Sequence, residues 1–223
     1  PPTSSFQPQN GAIALSLDTL VLSADRIKRD LCRELGISPR GGGEINLFLG
    51  RASESNQGIS IVPRFFADGW QYRVDVPDRI EDVQLVRAIV QVLLMEFANR
   101  GAGPKSAEIP LWLNEGLSRH LLASAGSSLI PEAVPTGTMV RTILDLKGGD
   151  GLRETRQFLR SHPALSFTEL SQLTPADLRG ETSKVFQHST HLLVNELARL
   201  PNGKAGLVKM LRSLPYFWNW EPA

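Results

Sequence analysis

The chain has 223 residues, 24 Lys and Arg against 23 Asp and Glu, a formal charge of +1 and 41% apolar residues. This composition fits one large or two small folded domains and excludes wholesale disorder. It lacks the cationic excess needed to neutralise phosphates, so nucleic acid is not an expected partner, and no apolar run approaches the roughly 20 residues of a membrane-spanning helix.

Residues 1–11 are polar and Pro-rich and are expected to be a flexible tail on a single domain covering 12–223. A start at Pro1-Pro2, with neither an initiator Met nor a signal-peptide pattern, is read as a processed terminus. Alternation from Ala12 to Leu17 predicts a strand, and Ser23-Ala24-Asp25 opens a predicted helix to Gly36 with Ile27, Leu31 and Leu35 on its apolar face. Cys32 lies within this helix; as the only cysteine it has no internal disulfide partner and reads as a small core residue. After Gly41-Gly42-Gly43, strands are predicted at Glu44 to Leu49, Gly58 to Val62 and Trp70 to Val76.

Ile80 to Arg100 carries Val86, Ile89, Val90, Leu93, Leu94 and Phe97 at helical spacing, and its middle turns are apolar on the opposite side too. Such a helix belongs at the centre of a core. Pro110 then starts a second helix running to Leu122. The stretch Thr138 to Leu146 reads equally as strand or short helix. Further helices are predicted at Leu152 to Arg160, Phe167 to Leu173, Glu181 to Leu200 and Gly203 to Leu214. The expected class is therefore α+β, with a sheet-containing part at about 12–125 and a helical part at about 126–223.

The segment Trp112-Leu113-Asn114-Glu115-Gly116-Leu117, one helix after the apolar helix, resembles the zinc-glutamate helix of the gluzincin, thermolysin-like metallopeptidases. The resemblance implies a mixed sheet on a central helix, followed by a helical lobe walling a cleft. In that family the central helix carries HExxH. Aligning Glu115 with the third zinc ligand puts this slot at Gln91-Val92-Leu93-Leu94-Met95, with 19 residues between Met95 and Glu115. Two histidines at i and i+4 would present imidazoles to one ion, and the glutamate between them would activate water. Gln91 and Met95 are not ordinary zinc ligands, and Val92 has no proton to move. Zinc and hydrolysis are accordingly expected to be absent.

The resemblance thus implies a catalytically inactive peptidase-like module that binds or scaffolds an unidentified protein or peptide, in a periplasmic or extracellular setting. One alternative is a metal-dependent hydrolase with a rearranged site that draws on Glu115, His120 and one of His188 and His191, which lie three apart on one predicted helix. The other is a structural module of a larger envelope protein. The plain readings stand beside these. Glu115 and Arg119, like Glu96 and Arg100, have the i, i+4 spacing of a surface helical ion pair, and Met95 fits as core filler. His162 reads as a surface residue. Ser118, Ser189 and Thr190 lack the Gly-x-Ser-x-Gly setting of a serine nucleophile.

Overall fold

The computed structural model describes residues 12–40, 42–51, 58–131 and 151–217. The predicted tail and the ambiguous stretch from Thr138 to Leu146 lie outside these residues. The described part is α+β. Its elements are strands β1 (Ala12–Ala14), β2 (Glu44–Gly50), β3 (Ser60–Phe66), β4 (Gly69–Pro77) and β5 (Arg79–Glu81), and helices α1 (Leu17–Leu35), α2 (Asp82–Asn99), α3 (Leu111–Ala125), α4 (Arg153–Leu159), α5 (Phe167–Gln172), α6 (Gly180–Arg199) and α7 (Gly203–Ser213).

β4 is central in a three-stranded sheet, parallel to β2 and antiparallel to β3. Its alternate residues Trp70, Tyr72, Val74 and Val76 are buried. They make the inner face of the sheet, as the period of two along a strand requires. Pro63 sits on β3, an edge strand, where the missing N–H interrupts no inner ladder. β1 and β5 form a separate antiparallel pair at the entrance to α2.

Several boundaries differ from the sequence expectation, among them the end of α3, which runs to Ala125 rather than Leu122. α1 begins at Leu17, six residues early, because the Ser16 hydroxyl accepts a hydrogen bond from the Thr19 amide and caps the helix. The first strand is correspondingly short. β3 runs through Pro63 to Phe66, and the segment before α2 is the strand β5 rather than helix.

α2 is the axis of the core. From Leu85 to Asn99 only Arg87 and Gln91 are more than marginally accessible. At its last turns, Asn99 donates to the Tyr72 hydroxyl at 2.9 Å and accepts from the Ala107 amide at 2.8 Å, while the Tyr72 hydroxyl donates to the Met95 carbonyl. Burial pushes the Tyr72 phenol up to about 12, keeping it a neutral donor. α3 packs on α2, and α6 crosses α3. The crossing is close at Gly116, where a Cβ would lie 2.6 Å from the Thr190 carbonyl oxygen, so only glycine fits there. Trp112, one turn earlier on α3, is buried with its ring edge against Phe167 of α5.

Candidate functional site

Apolar packing excludes water from nearly all of α2, and Arg87 and Gln91 are the two side chains in its middle turns that are not buried. Arg87 and Gln91 are spaced i, i+4 and share one face, with Val83 one turn earlier on the same stripe. Across from them on α3 stands Glu115, only 7% exposed. Arg87 pairs with it: Nη2 donates to Oε1 at 2.6 Å, and Nε lies 2.5 Å from Oε2 without the geometry of a hydrogen bond. Arg119, one turn further along α3, donates from Nε to Oε1 at 3.1 Å and from Nη2 to Gln187 of α6.

The expected Glu115–Arg119 pair is thus present, but it is not a surface pair. Glu115 is buried between two guanidiniums that bridge three helices, with side-chain exposures of 29% for Arg87 and 25% for Arg119. The cluster carries two positive charges against one negative. That surplus repels a dication, and both carboxylate oxygens are already engaged. The residues present do not fit a zinc ion.

The α2 residue that meets Glu115 is therefore one turn earlier than Gln91. Val92 and Met95 lie in the packed interior, with the Met95 carbonyl bonded to Tyr72. Arg87 was not singled out as a site residue from the sequence. A signal was present, because Arg87 and Gln91 are the only polar side chains between Leu85 and Met95 and have helical i, i+4 spacing.

The histidines take other partners. His120 has Nε2 3.4 Å from Glu34 of α1 and Nδ1 facing Asn195 of α6, so its ring nitrogens do not turn to Glu115. His188 and His191 are buried and both direct Nδ1 at the Thr155 hydroxyl of α4, at 3.2 and 2.9 Å. A hydroxyl has one hydrogen, so it donates to one ring and accepts from the Nδ1–H of the other. Both rings are neutral in this arrangement. Burial, then the charges of His120 and Arg119, lower the His191 pKa to about 4; burial and Arg119 also lower that of His188. Phe158 is sandwiched between the rings of His188 and His162, and His162 also pairs with Glu181 at 2.9 Å. Among the described residues no group of three or more His, Cys, Asp or Glu side chains is placed to hold a metal ion.

Ser118 and Ser189 are occupied locally: Ser118 donates to the Asn114 carbonyl and Ser189 accepts from the Leu165 amide. Thr190 donates to the Gln187 carbonyl. Glu96 and Arg100 form the expected i, i+4 pair, but with Glu96 buried. Cys32 is buried in the core, where burial raises its thiol pKa.

Beside the arginine bridge opens a cavity of about 710 Å³. Its wall includes Ile13 of β1, Val83 at the start of α2, Leu122 of α3 and Ile130, with Thr19, Asp82, Arg119, Glu154, Thr155 and His191 as polar groups. This size and mix of apolar wall with polar groups suit a small ligand or a short peptide segment. Comparison of the chain with protein-family models, with curated proteins and with solved structures gives no match.

Proposed function

We propose that this is a catalytically inactive, metallopeptidase-like domain of gluzincin type, whose cleft binds a protein or peptide partner. The observation that supports it is the pair Arg87 and Gln91. Arg87 pairs with Glu115, and Gln91 follows it at i+4 on the same face; on the gluzincin reading these would be the positions of the two histidines. The water-activating glutamate would then fall at Ala88, one residue after Arg87, and a methyl group moves no proton. An ion-pair bridge fills the space of the metal: it joins α2, α3 and α6 as a structural zinc would, without polarising a substrate. A rearranged hydrolase is less well supported, because the Nδ1 atoms of His188 and His191 converge on one hydroxyl rather than on open space. The test is incubation of the protein with denatured casein and zinc. No peptide release is expected; release abolished by a chelator would overturn the reading.

A further inference from the structure

The Arg87–Glu115–Arg119 bridge leaves one positive charge uncompensated within the cluster. Arg87 uses Nη2 on Glu115 with Nε close by, and Arg119 uses Nε on Glu115 and Nη2 on Gln187. In each guanidinium these contacts leave the Nη1 donor for a further acceptor. Arg119 lines the 710 Å³ cavity, whose other walls are largely apolar. Partial burial makes this surplus charge stronger than its equivalent in open solvent. Asp82 and Glu154 also line the cavity and oppose an anion there, but both are exposed, so water and salt weaken their effect relative to the partly buried Arg119.

We infer that the cavity is a binding site for the C-terminus of a peptide ending in an apolar residue, its terminal carboxylate paired with Arg119. Two observations favour a peptide over an acyl chain of the same charge. The wall includes β1, which pairs with β5 alone among the described residues and so retains an edge with backbone donors and acceptors. The carboxylates of Asp82 and Glu154 suit backbone N–H groups, which an acyl chain does not have. This inference deepens the reading of the cleft as a binding site and rests on it. It also fails separately, since that reading is tested by zinc-dependent hydrolysis of casein and this one by peptide affinity.

The experiment is fluorescence anisotropy with an N-terminally labelled tetrapeptide ending in leucine, as free acid and as C-terminal amide, with octanoate as competitor. The free acid should bind and the amide should bind at least about tenfold more weakly, the size of one charge-assisted hydrogen bond. Octanoate should not compete at matched concentration. Glu115→Gln should tighten the free acid and leave the amide unchanged, because it releases two guanidiniums; Arg119→Gln should weaken the acid to the level of the amide. Equal binding of acid and amide, or no binding of either, overturns the proposal. Competition by octanoate overturns the choice of peptide in favour of a lipid acid. These comparisons use the unaltered protein, so a misfolded variant does not remove the test.

Discussion

Arg87 of α2 and Glu115 of α3 share two contacts, Nη2 to Oε1 at 2.6 Å and Nε to Oε2 at 2.5 Å. This pair is the polar joint between two helices whose packing is otherwise apolar. Breaking a buried pair by deleting one partner is costly because the other charge is left desolvated, whereas exposed pairs contribute little.

Glu115→Ala should therefore destabilise by about 2 to 4 kcal/mol, since it strands two partly buried guanidiniums. Arg87→Met should cost less, about 1 to 2 kcal/mol, because Glu115 keeps Arg119 and the methionine stem replaces the packing. Denaturant midpoints of both single variants and of the double variant give the comparison. If Glu115→Ala is the milder change, the bridge is not a structural joint.

The facing register predicts which zinc site is buildable. Arg87→His, Ala88→Glu and Gln91→His together should bind zinc with Glu115 as third ligand, because i, i+4 spacing and the α2–α3 approach supply the geometry. Affinity should be modest, since partners that orient the imidazoles contribute roughly 10- to 100-fold and none has been provided. Placing the same three residues at Gln91, Val92 and Met95 should not create a site with Glu115. Calorimetric titration of both triple variants, with folding checked by circular dichroism, decides between the registers.

Acid should loosen the α4–α6 contact. His191 has an ordinary value of 6.5 and a folded value of about 4, so between those limits the unfolded chain binds more protons than the folded one. Stability is therefore full above about pH 6.5 and is lost as pH falls towards 4, by up to about 3 kcal/mol for this group. The depressed pKa of His188 adds in the same direction. Unfolding midpoints of the parent and of His191→Gln across pH 7.5 to 4.5 should show a shallower acid limb in the variant. Parallel limbs would mean that other groups carry the acid sensitivity.

Gly116→Ala should destabilise despite the higher helix propensity of alanine. The propensity gain is about 1 kcal/mol, whereas overpacking against another helix costs about 1 to 3 kcal/mol. The obstacle is the Thr190 carbonyl 2.6 Å from the added carbon, and a backbone atom cannot rotate away. A net loss of up to about 2 kcal/mol is expected, read from thermal midpoints. A raised midpoint would show that α6 shifts freely on α3.

Much of the scaffold was legible because it is written in local periodicity. The all-round apolar α2, the Pro-initiated α3 and the alternation of β4 each specify their element without reference to the rest of the chain. Ser16 was missed as a helix cap because the strand-like run around it, Ala12 to Leu17, continues without a break. Pro63 read as a strand end because edge position is a tertiary property. The site was harder for the same reason. Glu115 was found through its neighbours in sequence, but its burial depends on Arg87, and the turn of α2 that faces it is fixed only by how the two helices cross. The meeting of His188 and His191 on Thr155 had no local signal at all.

The separations along the chain of these contacts bear on how the molecule assembles. Arg87 and Glu115 are 28 positions apart, Thr155 and His191 36, and Arg119 and Gln187 68. Closing a loop costs only about 0.6 kcal/mol more for each doubling of its length. The shortest of these closures therefore leads the longest by under about 1 kcal/mol, too little to impose an order of events. Because Glu115 of the first contact also holds Arg119 of the last, α2, α3 and α6 should gain and lose structure together. The cavity beside them is then a property of that cooperative unit, not a crevice that opens while the rest stays folded.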